Sequence, residues 1–201
     1  MPSFSILLQG KLLARVNTAG LELFSIHVSG TRVDDELACV EAHGGVYSEE
    51  GKQSHLIWIN SVPLRRGDQV QVVFSEDGEN SHRGNTIEEL YPDDCSVNGS
   101  DPKPVDQIYE ELRQRSPVRD CFNFEVRLPS GEARRFASLP DEHGFGFHVL
   151  WHSDRPDRAR ASLHTYTIDY LEQNEPGNDH VSEYLKTGDA VAVKIDGGSL
   201  H

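Results

Sequence analysis

The chain has 201 residues, 36% of them hydrophobic and 26% charged, and its mean hydropathy of -0.54 describes a folded, polar-surfaced protein rather than a disordered or membrane-embedded one. Its net charge of -14, shared by both halves, opposes phosphate backbones and anionic headgroups, which excludes nucleic acid and membrane surfaces as expected partners. Cys39, Cys95 and Cys121 are odd in number and scattered, and the apolar Phe4–Leu8 stretch has neither the basic run nor the cleavage site of a signal peptide, so free thiols and a cytoplasmic location are expected.

From the N-terminus, "FSILLQGKLLARV" reads as a hairpin turning at Gly10-Lys11, and "LFSIHV" (Leu23 to Val28) as the next strand. "ELACVEAHGG" follows as an apolar strand with Cys39 in the core, and "SHLIWINSV" as a half-buried strand anchored by Trp58. In "PLRRGDQVQVVF", Val70, Val72 and Phe74 alternate on one face of a strand, and Gly67-Asp68 supplies its opening turn. Residues 88–119 shift to Pro, Asp and Ser and read as a linker. Within it Val105, Ile108, Tyr109 and Leu112 form the stripe of a short amphipathic helix over about 105–115, with Asp106 at its start, Arg113 and Arg115 at its end and Pro117 stopping it. This helix is expected to pack on one or both β units. Beyond it, "FNFEVRLPSGEARRF" reads as a second hairpin, "GFGFHVLWHSD" as a strand carrying Trp151, and "SLHTYTIDYL" as a further half-buried strand. "EQNEPGNDH" has the composition of an inserted surface loop before the last strand pattern, "SEYLKTGDAVAVKI".

Two blocks recur without gaps. Ser61–Phe74 aligns with Ser182–Ile195 through shared Ser, Leu, Gly, Asp, Val and Val, and the same offset pairs Phe24 with Phe145, His27 with His148 and Val28 with Val149. The expected fold is therefore mainly β: two tandem, diverged copies of a small antiparallel β-sandwich or partly open barrel, residues 2–87 and 120–197, joined by the linker with its one helix. The triplet Arg66-Gly67-Asp68 resembles an adhesion signal, but the second copy keeps Gly188-Asp189 and has Thr187 in place of the arginine. Gly67, Asp68, Gly188 and Asp189 are accordingly expected to be structural turn residues.

Catalytic signals are sparse: no nucleophile elbow, phosphate-binding glycine loop or dinucleotide fingerprint occurs. His143, His148 and His152 lie close in sequence. Along a straight strand, however, the first two face opposite sides and the last two stand about 13 Å apart, too far for one metal shell. A neighbouring strand carrying His164 would change that, which makes His148, His152 and His164 the metal candidates. Asp94, Ser96, Asn98 and Gly99 imitate the start of a calcium loop, yet the twelfth position is Val105 where a bidentate Glu is needed, so the stretch reads as an Asn-Gly turn. Taken together these readings predict no cofactor and a non-catalytic module that binds another protein, an acidic partner or inhibitor of a basic one. The alternative is a small metal-dependent or carbohydrate-acting enzyme with its site at the junction of the two β units.

Overall fold

The computed structural model describes residues 1–47, 53–95 and 103–197. Among the described residues it is mainly β, with twelve strands in two six-stranded antiparallel sheets. The first half contributes β1 (Ser3–Leu8), β2 (Lys11–Asn17), β3 (Leu23–Thr31), β4 (Ala38–Val46), β5 (Ser54–Leu64) and β6 (Gln69–Ser75). Two short helices, α1 (Ile87–Leu90) and α2 (Val105–Gln114), fall in the connecting region. The second half contributes β7 (Phe122–Arg127), β8 (Ala133–Ala137), β9 (Gly144–His152), β10 (Arg158–Tyr166), α3 (Ile168–Glu172), β11 (Asn178–Lys186) and β12 (Ala190–Gly197).

One sheet has the order β2-β1-β6-β12-β7-β8 and the other β11-β10-β9-β3-β4-β5. Each half thus supplies three adjacent strands to each layer, and the halves join edge to edge through β6·β12 and β3·β9. Exchanging β1–β6 with β7–β12 leaves both orders unchanged. At each join one facing pair is separated by the same interval, 121: His27 lies opposite His148, and Gln71 opposite Ala192. Joining the halves this way hydrogen-bonds four strand edges that isolated units would expose, which removes templates for aggregation.

The core fills the space between the sheets. Phe4 meets Phe24 across it with centroids 5.4 Å apart and stacks on Phe74 at 4.6 Å, while Phe145 takes Phe122 and Phe124 edge-on at 4.7 and 4.8 Å. These rings are essentially inaccessible to water, and each contributes about 1.5–3 kcal/mol by burial. Trp58 and Trp151 are both core residues, Trp58 edge-on to Phe24 and Trp151 donating its indole N–H to the Pro156 carbonyl. Cys39, expected in the core, is half-buried on the outer face instead, because strict alternation gives the inward positions of β4 to Ala38 and Val40.

The two Gly-Asp turns have matching geometry. Gly67 and Gly188 take φ of 83° and 96°, and the carboxylates of Asp68 and Asp189 accept the N–H of Arg65 and Lys186 at 2.8 and 2.7 Å. Each turn also closes the other half's strand: Gly67 N–H donates to the Ile195 carbonyl and Gly188 N–H to that of Phe74.

Three local expectations change. "SLHTYTIDYL" is a strand only to Tyr166; Thr167 then caps α3 by accepting the Tyr170 N–H, and a helical turn follows. "EQNEPGNDH" is surface loop only in part, since Asn178, Asp179 and His180 already belong to β11. Helix α2 packs on α3 rather than on a sheet, with the Tyr109 hydroxyl donating to the Leu171 carbonyl and Arg113 paired with Asp169 and Glu172. Ser96, Asn98 and Gly99 of the calcium-like stretch lie outside the described residues.

Candidate functional site

Alternation along β3, β4, β9 and β10 sends Phe24, Val40, Phe147 and Leu163 inward and a histidine outward from each strand. The cross-strand register brings those histidines into one row on the outer face of the second sheet. His164 lies 4.9 Å from His148, His148 lies 4.2 Å from His27, and His27 lies 5.2 Å from His43, all between ring centroids. His55 of β5 continues the row 5.2 Å beyond His43, and its Nδ1 shares a 2.7 Å hydrogen bond with the Tyr47 hydroxyl. Tyr166 stands at the other end, 6.3 Å from His164. The row crosses five strands and is centred on the His27–His148 pair, where the halves join.

Half-burial and crowding keep the inner four rings, His27, His43, His148 and His164, uncharged at neutral pH. His148 is lowered to about 3, by burial first and then by His27 and His164, and His27 to about 4, by burial and then by His43 and His164. His43 and His164 are lowered for the same leading reason, although Glu41 beside the one and Asp179 beside the other act in the opposite sense. A neutral imidazole carries one N–H donor and one lone pair, so each ring is both a hydrogen-bond partner and a potential metal ligand.

Equivalent positions of the two halves differ at one telling place. Ser25, two residues before His27, puts its hydroxyl 2.6 Å from His27 Nε2. The matching residue before His148 is Gly146. A Cβ added there would lie 2.4 Å from His148 Nε2 and 3.0 Å from His164 Nε2, so both nitrogens border the space that a side chain would fill. Among the described residues neither of these two rings has a hydrogen bond. They floor a groove of about 370 Å³ walled by Tyr166, Glu175 and Pro176.

Of the three metal candidates, the fold brings His148 and His164 together. His152 lies four residues along β9, beyond the row and close to Asp154. His143 is buried before β9, apart from the row, and its Nε2 has no partner among the described residues. Among the described residues no three His, Cys, Asp or Glu side chains assemble into a metal shell. His27, His43 and His55 escape a strand-by-strand reading; for the first two one signal is present, since the gap-free interval that pairs His27 with His148 also pairs His43 with His164, while His55 falls against Pro176.

The Ser25–His27 contact imitates a nucleophile and its base. Ser25 is only 3% exposed, however, and β3 is paired on both edges, so its backbone N–H groups serve the ladders rather than an oxyanion. A second groove, about 310 Å³, contains Arg32, Arg113 and Arg115, but each guanidinium is engaged: Arg32 by the Arg119 and Pro140 carbonyls, Arg113 by Asp169 and Glu172, and Arg115 by Asp34. Among the described residues no helix is long and apolar enough to cross a membrane. Comparison with known proteins returns no match: no family model, curated protein or solved structure is significantly similar to this chain.

Proposed function

We propose that this chain is a non-catalytic binding protein that takes its ligand on the histidine-bearing face where its two halves join. One observation carries the reading: the row is continuous across the join, and at its centre one ring nitrogen is satisfied internally by Ser25 while its counterpart over Gly146 faces an open groove. Outer faces of sheets ordinarily carry charged or small polar residues. A row with four neutral imidazoles at its centre and flanking tyrosines costs solubility unless it serves recognition. The matched strand orders and the shared interval at both joins support an origin by internal duplication, after which the second half alone opened its groove. A thermal-shift panel of divalent metals, sugars, nucleotides and amino acids tests the reading. At least one class is expected to raise the melting temperature of the wild type but not of a His148→Asn, His164→Asn double variant, with His152→Asn behaving as wild type. Stabilisation by any class that the double variant retains in full would overturn it.

A net charge of -14 favours a second reading, in which the chain also docks a basic protein as its partner or inhibitor. Capture of one dominant basic protein from the native host, weakening as salt rises from about 50 to 500 mM, is the expected result. Capture that is indifferent to salt refutes this reading.

A further inference from the structure

We infer that the open side of the sandwich between β8 and β11 binds an extended segment of another protein, one with small and amide side chains and a basic residue where it crosses β11. The surface is separate from the histidine face, and its test does not depend on that reading.

Each sheet ends in one strand from each half, so the sandwich has two open sides, β2 with β5 and β8 with β11. The first is closed by the chain itself, because residues 77–86 cross from one edge strand to the other. Ser81 donates its N–H to the Arg15 carbonyl at 2.9 Å, and its hydroxyl accepts the Arg15 N–H. Asn80 accepts the Asn17 N–H at 2.7 Å, and Asn85 exchanges both backbone hydrogen bonds with Ile57 of β5. Gly84 passes so close to Trp58 that a Cβ there would stand 2.9 Å from the indole, and Trp58 is left only 8% exposed. An unpaired edge strand is a template for an added strand, and this strap uses up the template on its side.

The second side has the same frame. Phe4 and Phe124 hold equivalent places opposite Phe74 and Ile195. Val16 of β2 lies opposite the one and Phe136 of β8 opposite the other, so Arg135 and Ala137 take the places of Arg15 and Asn17. Ile57 lies opposite His43 and Asp179 opposite His164, so Asp179 and His180 take the places of Ile57 and Trp58. The Ser138 N–H donates to the Phe122 carbonyl on β7, and alternation along the ladder turns the backbone groups of Arg135 and Ala137 away from that strand. Among the described residues no hydrogen bond reaches those outward groups, and no strap covers His180, which is half-buried with its ring 5.3 Å from Phe136.

The occupant follows from this frame. An isologous pairing of two copies, centred on the five residues of β8, would set Arg135 against its own copy, and like charges directly opposite repel. A segment built like the strap meets no such repulsion. Its Ser and Asn side chains accept the Arg135 and Ala137 N–H groups as Ser81 and Asn80 accept those of Arg15 and Asn17, and a glycine lies against His180. The exposed Asp179 stands where the first half has the apolar Ile57. Residues directly opposite on paired strands interact, so a basic side chain is favoured at that crossing.

The test titrates the isotope-labelled full chain with a synthetic peptide of its own residues 77–86, and with the same peptide carrying Asn85→Lys. Amide shifts confined to residues 133–137 and 178–181, saturating below about 1 mM, are expected. The second peptide should bind about threefold more tightly, and an Asp179→Asn chain should lose that preference. Ala137→Pro, which removes an outward N–H from an edge strand, should abolish binding; if it does not fold, the Asp179→Asn comparison decides. No saturable shift, shifts at β2 and β5 instead, or equal affinity for the two peptides overturns the inference. So does exchange at the Arg135 and Ala137 amides as slow as at Arg15 and Asn17 before any peptide is added, since the chain or a second copy then already fills the side.

Discussion

Acid should destabilise this protein through the centre of the histidine row, and the size of the effect is accessible from the structure. His148 protonates near 3 and His27 near 4 in the folded state, against 6.5 when unfolded. A folded value below the unfolded one means that the unfolded chain takes up protons first. The stability is therefore complete above about pH 6.5 and is lost as the pH falls toward the folded values. By pH 4.5, two tenfold steps below 6.5, the loss reaches about 2.7 kcal/mol per ring at 1.36 kcal/mol per step. Both rings keep an edge in solvent, so screening reduces the pair's total to about 2–3 kcal/mol. The groups facing them are His43 and Glu41 on β4, Ser162 on β10 and His164 with Asp179 beyond it, so protonation of either ring meets mostly other imidazoles. Carboxylates titrate in the same range, which makes the informative quantity a difference between proteins. Urea unfolding at pH 7.0 and 4.5 should show the wild-type midpoint falling roughly 1 M further than that of a His27→Asn, His148→Asn double variant, for an m-value near 2 kcal/mol/M. Parallel falls, or ring proton resonances titrating near pH 6.5, would refute the burial argument.

Three further predictions rest on single residues. Gly67→Val should cost about 1–2 kcal/mol by forcing a β-branched residue to a φ of 83°, whereas Arg66→Ala, losing one exposed ion pair at 3.4 Å to Asp196, should cost under about 0.5 kcal/mol; equal and negligible losses in melting temperature would contradict the turn assignment. Glu142→Ala should cost about 2–4 kcal/mol, because this buried carboxylate accepts from Thr165, Asn178 and the Leu139 N–H and its removal strands those donors; a melting curve within 1 °C of wild type would show they find other partners. Arg119→Met should loosen the β3–β4 connection, since the guanidinium ties the carbonyls of Thr31 and Asp35; faster amide exchange over residues 32–38 is the expected readout, and unchanged exchange the contrary one.

How far the fold was legible depended on which forces leave marks in side-chain order. Alternation in Val70, Val72 and Phe74 and in Val191, Val193 and Ile195 reports burial on one face, and the Gly-Asp pairs report a positive φ, so strands and turns could be read locally. The joins β3·β9 and β6·β12 are backbone hydrogen bonds between strand edges, which are largely indifferent to residue type and left no such mark. The helical turn at Ile168 was missed because Thr, Ile and Tyr favour strands on average, while its actual determinant was one cap, Thr167. Within the site, composition misleads: "SHLIWINSV" and "SLHTYTIDYL" are alike, yet the place of β10 in the sheet order matches that of β4, and only that pairing aligns His43 with His164. Along β9 alone His148 and His152 stand too far apart to share a ligand, and it is the β9·β10 register that places His164 beside His148.

Symmetry of the backbone and asymmetry of the site together explain why the groove belongs to one half. A two-fold arrangement places every histidine of the inner four in an equivalent pair, so burial alone would make two identical sites or none. Two local differences break the equivalence. Ser25 fills and satisfies the position that Gly146 leaves open, and the β10–β11 connection folds into α3 and a Pro-Gly bend whose Glu175 and Pro176, with Tyr166 at the end of β10, flank the opening. Neither difference strengthens the core: a glycine inside a strand costs roughly 0.5–1 kcal/mol relative to alanine, and a half-buried imidazole without a hydrogen bond is costlier than one that has it. Both are costs that the first half avoids with a single hydroxyl. Their coincidence at one end of the row, on the same few residues, is what a binding site requires and what packing alone does not supply.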